Sequence, residues 1–516
     1  MIAVSDAWKE IHKGLLLPET FVEITCAITE NDVQKTATAT GENQAVFSDV
    51  EAVAGNRSVT VTPKYATLEQ NLWSLDGSRS FLPTVAPYPN AGYVSADSSV
   101  GKVTLTTSQV RRVAIAGITI IWSSEFNEYA TRFKVTARNG TTVVATTTVE
   151  NNTSTKSYVY LEMNNYNNVV VEVLEWSLPN RRFRVERVYL GHILTFTKNE
   201  LLSYSHEQTG NLNSAELPKN SITFSVDNTN GQWDPNNPNG LERYLSERQK
   251  VTVRYGMDVN GTVEWIKAGT FFLSEWRAPS NGLEASFVAR DILEFLMYEK
   301  ISGYEEVALL DMLEYAYALG SPEIANTQMV IDPIVERYEG NIPEGHTRAE
   351  VIQMIANASC CIIRFDREGV LHVERLNETP SGYVISSAMS YSHPETSLTK
   401  PMKDVTVSYG GGATYTLPAN TIGESQTVDN PVVATLQQAT SIALWVKHTL
   451  SSRKKVSGEF RGDPRLDLFD IVEVEGKYGK ISPVAIEQIK YTYNGSFKAT
   501  YVGRVIMESV EIGGLT

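Results

Sequence analysis

The 516-residue chain holds 45 Lys and Arg against 60 Asp and Glu, a net charge of −15, and 42% of its residues are hydrophobic. This length predicts roughly three to five domains, and the acidic balance disfavours general binding to nucleic acid or to anionic membranes. No apolar run reaches the roughly 18 residues of a membrane helix, so no span is predicted. Three cysteines cannot all pair, which indicates reduced thiols in a protein made in a cytosol.

Alternating apolar and polar residues predict strands through most of the first 300 residues. We expect them at residues 21–28, 57–63, 101–107, 113–122, 132–138, 142–149, 168–176, 182–190, 221–227, 250–256, 269–276 and 284–291. Between residues 67 and 195 the turn signals recur at the spacing of a self-contained β-sandwich.

Near residue 290 the apolar spacing changes to three or four residues, which predicts helices. Gly320 and Pro322 mark the expected end of one helix, and Thr347 with Glu350 forms a capping box at the start of another. The sequence DREG at 366–369 predicts a hairpin turn, so an α/β region covers about 301–378. Strands then return, interrupted by one helix within 433–454.

A polar loop rich in Asn, Asp, Gly and Pro separates two of the predicted strands, in ITFSVDNTNGQWDPNNPNGLERYLSERQKVTVRYG. An EF-hand loop needs an acidic residue at its first position and Gly at its sixth. With Gly231 at the sixth position the first is Val226, so the loop fails this test. A cation held by Asp227, Asn228 and Asp234 stays open as an alternative.

The same loop is better interpreted as a stiff connector. Asn and Asp bond their own backbone in turns, Gly231 supplies a positive φ, and Pro235 and Pro238 restrict the chain. Trp233 is then expected to plug the loop onto the strands below it.

Catalytic signatures are missing from the sequence. HExxH, CxxC, GxSxG, P-loop and Rossmann glycine patterns do not occur, and the seven histidines are scattered. We therefore expect a protein that is not an enzyme, with no catalytic residue, cofactor or metal. The adhesion tripeptide RGD at residues 461–463 is interpreted as a strand–turn–strand link.

The loop pattern at 225–256, followed by GTFFLSEW (269–276) and ARDILEF (289–295), resembles bacteriophage tail baseplate hub proteins, the tail-tip or tail-associated proteins. The segment GEFRGDPRLDLFDIVEVEG (458–476) resembles the second barrel of that family, in which a hairpin with a G-x-P and D-x-V pattern takes the place of the loop. The segment KYATLEQNLWSLDGS (64–78) resembles a recurrent junction in tail proteins. Together the resemblance covers most of 1–66 and 196–516.

This resemblance implies a mainly β, multidomain fold (α+β overall) with two tail-tube-like β-barrels. The expected domains are a discontinuous first hub barrel (1–66 and 196–300), an inserted sandwich (67–195), an α/β hub domain (301–395) and a second hub barrel (396–516). The family implies a homotrimeric ring that closes the tail tube in the virion baseplate and is assembled in the bacterial host cytoplasm. Implied partners are the distal tail protein, the tail tube, the tape measure protein and receptor-binding or fibre proteins. The expected assembly loop comprises Asp227, Asn228, Gly231, Trp233, Asp234 and Pro235.

The insert resembles another family. ITIIWSSEFNEYATRFKVTARNG (118–140) and YVYLEMNNYNNVVVEVLEWSLPNRRFRVERVYLG (158–191) are similar to galactose-binding-like jelly rolls, the fold of many carbohydrate-binding modules. The resemblance implies a host cell-wall glycan as a ligand, and Trp122 is expected in the core. Candidate glycan-binding residues are Trp73, Tyr88, Tyr93, Tyr166, Arg181 and Arg182. The alternatives are a host-surface glycan-binding adhesin, a tail-associated peptidoglycan hydrolase, and a sandwich that only packs on neighbouring baseplate proteins.

Overall fold

The computed structural model describes residues 1–14, 18–29, 36–45, 48–54, 92–99, 101–112, 114–124, 126–278, 282–301, 304–318, 329–342 and 344–506. Strands predominate, and the mainly β, multidomain fold class is confirmed. Contacts divide the chain into unit 1 (Met1–Ile24, Phe196–Asp234 and Val251–Thr516) and unit 2 (Thr25–Thr195 and Pro235–Lys250). Within the described ranges, no helix is long and apolar enough to cross a membrane.

The elements follow one another as below. The helices are α1 (Asp6–Lys13), α2 (Ile292–Leu296), α3 (Leu309–Ala318), α4 (Arg348–Ala358) and α5 (Leu436–Thr449). The strands up to residue 227 are β1 (Thr20–Thr29), β2 (Thr38–Glu42), β3 (Tyr93–Val94), β4 (Gly101–Arg111), β5 (Ile115–Ile121), β6 (Ala130–Asn139), β7 (Thr142–Val149), β8 (Lys156–Met163), β9 (Tyr166–Trp176), β10 (Arg184–Val185), β11 (Arg187–Phe196), β12 (Leu201–Thr209) and β13 (Lys219–Asp227). The later strands are β14 (Lys250–Val259), β15 (Thr262–Arg277), β16 (Glu284–Arg290), β17 (Tyr304–Ala308), β18 (Met329–Ile331), β19 (Glu339–Ile342), β20 (Ile362–Phe365), β21 (Leu371–Glu374), β22 (Val384–Ile385), β23 (Glu395–Leu398), β24 (Met402–Tyr409), β25 (Ala413–Pro418), β26 (Glu424–Val428), β27 (Lys454–Phe460), β28 (Ile471–Glu475), β29 (Ile481–Tyr493) and β30 (Phe497–Val505).

Unit 2 is a β-sandwich. One sheet has the strand order β2–β4–β9–β6–β7, and β11, β5 and β8 pair in the other. Inward-facing residues of both sheets, such as Phe133 and Val171 in the first and Ile118 and Leu190 in the second, form a single core. The first sheet reaches further towards the N-terminus than the expected boundary at residue 67, because β2 pairs with β4 along its whole length.

Unit 1 contains two strand modules with the same connectivity. Module 1 has the order β12–β13–β16–β15–β14, and module 2 has the order β23–β27–β30–β29–β28. In each module the chain passes from the first strand to its neighbour, then to the strand at the other end of this order, and returns by two successive neighbours; in module 2, β24–β26 and α5 are inserted between the first two strands. A topology of this length repeated within one chain indicates a duplicated building block.

The register shows the same irregularity at the equivalent point of both modules. Both return hairpins carry a β-bulge, between Leu273 and Glu275 in β15 and between Ile486 and Gln488 in β29. Their partner strands carry matching sequences, ASFVAR in β16 and ATYVGR in β30. The bulge redirects a strand locally and increases its twist, so a shared bulge gives both modules the same curvature.

A third region of unit 1 has helices and strands around one core. This core joins α3 and α4 to residues of β24 and α5, among them Val405, Val407 and Ile442. The boundary expected at residue 396 places β24 and α5 in the second barrel, whereas they pack with the α/β region. Burial decides this grouping, since the apolar face of α5 covers β24 and β25 rather than the strands of module 2.

Local predictions in this region are confirmed. Thr347 and Glu350 form a reciprocal capping box at the start of α4, and Thr435 with Gln438 does the same for α5. The residues 366–369 connect the antiparallel strands β20 and β21. The strand expected at 57–63 and the helix end expected at Gly320 and Pro322 lie outside the described residues.

Candidate assembly and ligand-binding surfaces

The loop after β13 is held by its own side chains. Asp227 accepts hydrogen bonds from the backbone and hydroxyl of Thr229, at 3.0 and 2.9 Å. Asn228 is buried, and its Oδ1 accepts from the backbone N–H of Trp233 at 2.9 Å. Gly231 has a φ of +66°, a left-handed conformation that glycine adopts without strain. These contacts are the turn chemistry that the sequence predicted.

Trp233 closes the loop over the strands beneath it. Its indole is 1% exposed and packs edge-on against Phe287, with ring centroids 5.2 Å apart, and at 6.2 Å from Phe196. Its Nε1 has no hydrogen-bond partner, so the side chain acts as an apolar plug. The chain passes from unit 1 to unit 2 directly after it, between Asp234 and Pro235.

Two aromatic candidates for glycan binding are core residues, which corrects the sequence-based expectation. Tyr93 is fully buried, and its hydroxyl donates to the backbone carbonyl of Glu42 at 2.7 Å. Tyr166 is 1% exposed inside the sandwich core. A sugar stacks on a ring face that solvent can reach, and neither ring offers one. Trp73 and Tyr88 lie outside the described residues.

The two arginine candidates make polar contacts within the sandwich. Arg181 is buried and pairs with the buried Glu128, with Nη2 and Oε1 3.1 Å apart. Arg182 donates from Nη1 to the backbone carbonyl of Ser95 at 3.1 Å. Trp122 is fully buried, as expected, and its Nε1 donates to the Ser157 hydroxyl at 2.7 Å. Of the four candidates among the described residues, three are buried and Arg182 is half-buried.

The RGD tripeptide is internal. Asp463 is fully buried, and Arg465 and His12 lie beside its carboxylate, with Nε at 3.0 Å and Nδ1 at 3.5 Å. Arg461 donates to the backbone carbonyl of His12, and to that of Gly14 at 2.6 Å. Although burial opposes it, His12 and Arg465 hold the pKa of Asp463 below its usual value. The segment therefore anchors α1, in agreement with the structural interpretation of the sequence.

A continuous strand pairing joins the two modules of unit 1. β12 of module 1 pairs antiparallel with β29 of module 2, from Tyr204 opposite Tyr493 to Thr209 opposite Gln488. Glu207 accepts from Gln488 Nε2 at 3.1 Å. We call this pairing the module joint.

A buried polar network lies under the module joint. The hydroxyl of Tyr255 is 2.8 Å from that of Tyr204 and 2.7 Å from His206 Nδ1, and His206 Nε2 is 2.8 Å from Asn220 Oδ1. Because a carbonyl oxygen only accepts, this geometry assigns the ring proton to Nε2 and makes Nδ1 the acceptor. Burial lowers the pKa of His206 to about 4, which keeps the imidazole neutral.

Arg367, from the α/β region, adds to burial in lowering the pKa of His206. Its Nε donates to both carboxylate oxygens of Asp467, at 2.9 and 3.1 Å, and its Nη1 and Nη2 donate to the carbonyls of Lys267 and Leu466. A buried charge needs a counter-charge and hydrogen bonds of this kind to offset the loss of its hydration. No local sequence pattern points to these residues, although the ASFVAR and ATYVGR repeat is a signal of the duplicated modules that they join.

A cleft of about 490 Å³ lies beside the module joint and has a predominantly polar lining. Lys455 Nζ and Arg504 Nε share the carboxylate of Glu487, at 2.8 and 3.3 Å, and Lys400 pairs with Glu424. Three cations thus share two carboxylates. In the part of the chain that the structure describes, no group of three or more His, Cys, Asp or Glu is placed to hold a metal ion.

A scan of protein-family models and a search of curated proteins gave no match. Among solved structures, the tail protein from Neisseria meningitidis MC58 is 13% identical with a TM-score of 0.45, over 61% of this chain and 94% of that one. The 43 kDa tail protein of prophage MuSo2 from Shewanella oneidensis is 14% identical with a TM-score of 0.43, over 61% and 95%. The prophage tail protein gp18 from Listeria monocytogenes EGD-e is 12% identical with a TM-score of 0.40, over 62% and 93%. Since each of these TM-scores is below 0.5, the likenesses assign neither a family nor a function to this chain.

Proposed function

We propose that this chain is a structural protein of the baseplate hub or tail tip of a tailed bacteriophage or phage-tail-like particle. The observation that carries the proposal is the duplicated strand module of unit 1 and its edge-to-edge joint. A module that pairs with a copy of itself along a sheet edge is suited to building a ring, because the same contact repeats around an axis. The resemblance of the loop and of the second barrel to tail hub proteins supports the same proposal.

The two modules differ at one edge. In module 1 the outer strand β12 is covered by β29. In module 2 the equivalent strand β23 pairs with β27 on one side and is the last strand of its sheet, within the described residues. All four residues of β23 are exposed. An unpaired strand edge is a ready template for pairing with another chain.

The complementary edge lies on β15 of module 1. The bulges make Glu275 equivalent to Gln488, where the β12 pairing of module 2 begins. A two-residue turn joins β14 to β15. In the hairpin register that this turn sets, the first residue of β14 lies opposite Phe271, so β15 continues beyond its pairing with β14. A second copy that repeated the module joint would therefore pair its β23 with Glu275–Arg277 of β15 and place Leu398 opposite Trp276.

Repetition of this contact among three copies gives a closed ring of six modules with a channel along its axis. Such a trimeric ring fits the end of a sixfold tail tube. The partners proposed from this role are the tail tube, the distal tail protein, the tape measure protein and receptor-binding or fibre proteins, and the proposed location is the virion baseplate. The domain boundaries from the sequence belong to this proposal, with the changes at β2, β24 and α5 described above. The hydrolase alternative has no observation in its favour within the described ranges, and zymography of the purified chain tests it.

The test is the oligomeric state of the full chain, measured by mass photometry and by electron microscopy of negatively stained particles. We expect trimers that appear as rings with a central channel. Leu398→Lys, at a position that is 64% exposed on β23, should shift trimers towards monomers because a charge on a strand edge opposes pairing. Ile422→Lys is the matched control, at a position that is 73% exposed outside the proposed contact. A parent chain that stays monomeric at high concentration and never joins tail tubes would falsify the hub proposal.

A further inference from the structure

Six Asn-Gly pairs occur in the sequence, and five of them lie wholly within the described residues. These five begin at Asn139, Asn230, Asn239, Asn260 and Asn494. An Asn-Gly pair is open to rearrangement because the glycine nitrogen, with no side chain beside it, reaches the side-chain carbonyl carbon of the asparagine. The nitrogen attacks only after it gives up its proton, so the hydrogen bonding of the glycine N–H decides which pair reacts.

Four of the five glycine N–H groups are held by an acceptor. Gly140 donates to Asn167 Oδ1 at 2.9 Å, and Gly261 donates to Asp258 Oδ1 at 2.7 Å. The N–H groups of Gly231 and Gly240 each donate to the backbone carbonyl three residues earlier, at 2.8 and 3.0 Å. An acceptor that binds the proton keeps it on the nitrogen, and a carboxylate does so more strongly than a neutral oxygen.

The turn between β29 and β30 leaves the fifth pair free. Asn494, Gly495 and Ser496 are all exposed. Among the described residues, neither the Gly495 N–H nor the Asn494 side-chain amide has a hydrogen-bond partner. Gly495 has a φ of +84°, and a side-chain carbon at this position would meet no atom within 4 Å. The same open space surrounds Gly140 and Gly261, so the hydrogen bond rather than the space distinguishes Gly495 from them.

We propose that Asn494 is a site of spontaneous covalent modification, at which asparagine becomes aspartate and isoaspartate faster than at the other four pairs. The Gly495 nitrogen loses its proton to hydroxide and bonds to Asn494 Cγ, while the Cγ–Nδ2 bond breaks and ammonia leaves. Water then opens the resulting succinimide. Cleavage of the new N–Cγ bond gives aspartate, and cleavage of the original peptide C–N bond gives isoaspartate, whose backbone carries one additional carbon.

The modified residue lies beside the module joint. Tyr493 pairs with Phe497 across the turn and, on its other side, with Tyr204 of β12. The rings of Tyr493 and Phe497 are 5.4 Å apart, and the Tyr493 hydroxyl donates to the carbonyl of Thr20 at 2.8 Å. The loop fixes the register of a hairpin, so an additional backbone carbon in this turn disturbs the pairs that follow it, whereas aspartate leaves the backbone unchanged. Isoaspartate at this position therefore weakens the module joint as the protein ages, and the inference does not depend on the hub proposal.

The test ages the full chain in mildly alkaline buffer at physiological temperature and follows each pair by peptide mapping with mass spectrometry. Deamidation adds about 1 Da, and labelling with an isoaspartyl methyltransferase measures the isoaspartate share. We expect Asn494 to react about 10-fold faster than Asn139 and Asn260, the rate cost of breaking one hydrogen bond of about 1.4 kcal/mol. In urea the five rates should converge, because unfolding frees every glycine N–H. Equal rates in the folded chain, or no gain of mass at Asn494, would overturn the proposal.

Two variants test the physical reason, and a third tests the consequence. Asp258→Ala removes the acceptor of the Gly261 N–H and should accelerate the reaction of Asn260 about 10-fold, with no change at Asn494. An unchanged rate at Asn260 would overturn the role of the hydrogen bond. Asn494→Gln should abolish the gain of mass, because its longer side chain closes a larger ring much more slowly. Asn494→Asp carries the charge without the additional carbon, so it should unfold at the same urea concentration as the fresh parent, whereas the isoaspartate form unfolds at a lower one. Equal unfolding of the isoaspartate form and Asn494→Asp would overturn the effect on the module joint.

Discussion

Acid should destabilise the protein through His206. Burial lowers the pKa of this imidazole to about 4, whereas the unfolded chain titrates near 6.5. Between these values the unfolded state binds a proton that the folded state does not. The stability contributed by neutral His206 is therefore complete above about pH 6.5 and declines as the pH falls towards 4.

The size of the effect follows from the two pKa values. The difference between the two pKa values corresponds to a limit of roughly 3–4 kcal/mol, at about 1.4 kcal/mol per pKa unit. About 3 kcal/mol of this is lost by pH 4, where the folded imidazole itself begins to titrate. Physically, a protonated ring can no longer accept the hydrogen bond from the Tyr255 hydroxyl, and its charge lies in a buried site.

The ionisation of Asp291 changes the folding stability with the opposite sign over the same pH range. Burial raises the pKa of this carboxyl to about 7, so its contribution is complete below the unfolded value near 3.8 and is lost as the pH rises through about 7. The pH profile of the parent protein contains both effects. A variant at His206 isolates one of them by difference.

His206→Gln is the variant of choice because a glutamine amide can donate to Asn220 and accept from Tyr255 without titrating. The assay is urea unfolding from about pH 7 to about pH 4. The gap between parent and variant should shift by about 3 kcal/mol in favour of the variant as the pH falls. His448→Gln, at an exposed histidine, is the matched control. Parallel profiles for the parent and His206→Gln would refute the reasoning.

Two further substitutions test buried groups by urea unfolding. Trp233→Ala should lower the free energy of unfolding by about 3–5 kcal/mol because it removes a large buried ring. As a consequence it should reduce the proposed trimer formation. Trp265→Ala, at a half-buried tryptophan, is its control. An equal loss of unfolding free energy in the two variants would contradict the role of Trp233 as an apolar plug. Asp467→Asn should cost about 3 kcal/mol by leaving the buried Arg367 without its counter-charge. Glu368→Gln, in an exposed pair, should cost under about 1 kcal/mol, and similar losses from the two would contradict the buried network.

Local sequence chemistry predicted local structure well. The capping box at Thr347, the turn at 366–369 and the Asx turns of the loop after β13 depend on neighbours within a few residues, and each forms as expected. The burial of Trp233 was predicted for the same reason, since a stiff polar loop with one large apolar side chain has one group to bury. The alternation of apolar residues also sufficed for the mainly β class.

Tyr93 and Tyr166 show where such reasoning fails. A tyrosine is amphipathic, and the sequence alone does not show whether its ring lies in a core or on a surface. The rings of Tyr93 and Tyr166 point into the core, whereas the ring of Tyr160 points outwards, over His192. The orientation follows from strand register and from the partner sheet, which are long-range properties.

The sequence by itself determined the strand-rich class, the turns, the helix caps and the resemblance of the loop and the second barrel to tail hub proteins. Tertiary structure decided which segments share a core, as with β2 in the sandwich and α5 in the α/β region. It also decided which edges are covered, since β12 meets β29 across almost 300 residues of sequence, while among the described residues the equivalent β23 is the last strand of its sheet. Local patterns depend on neighbouring residues, whereas cores and edges depend on distant segments whose meeting no local pattern records.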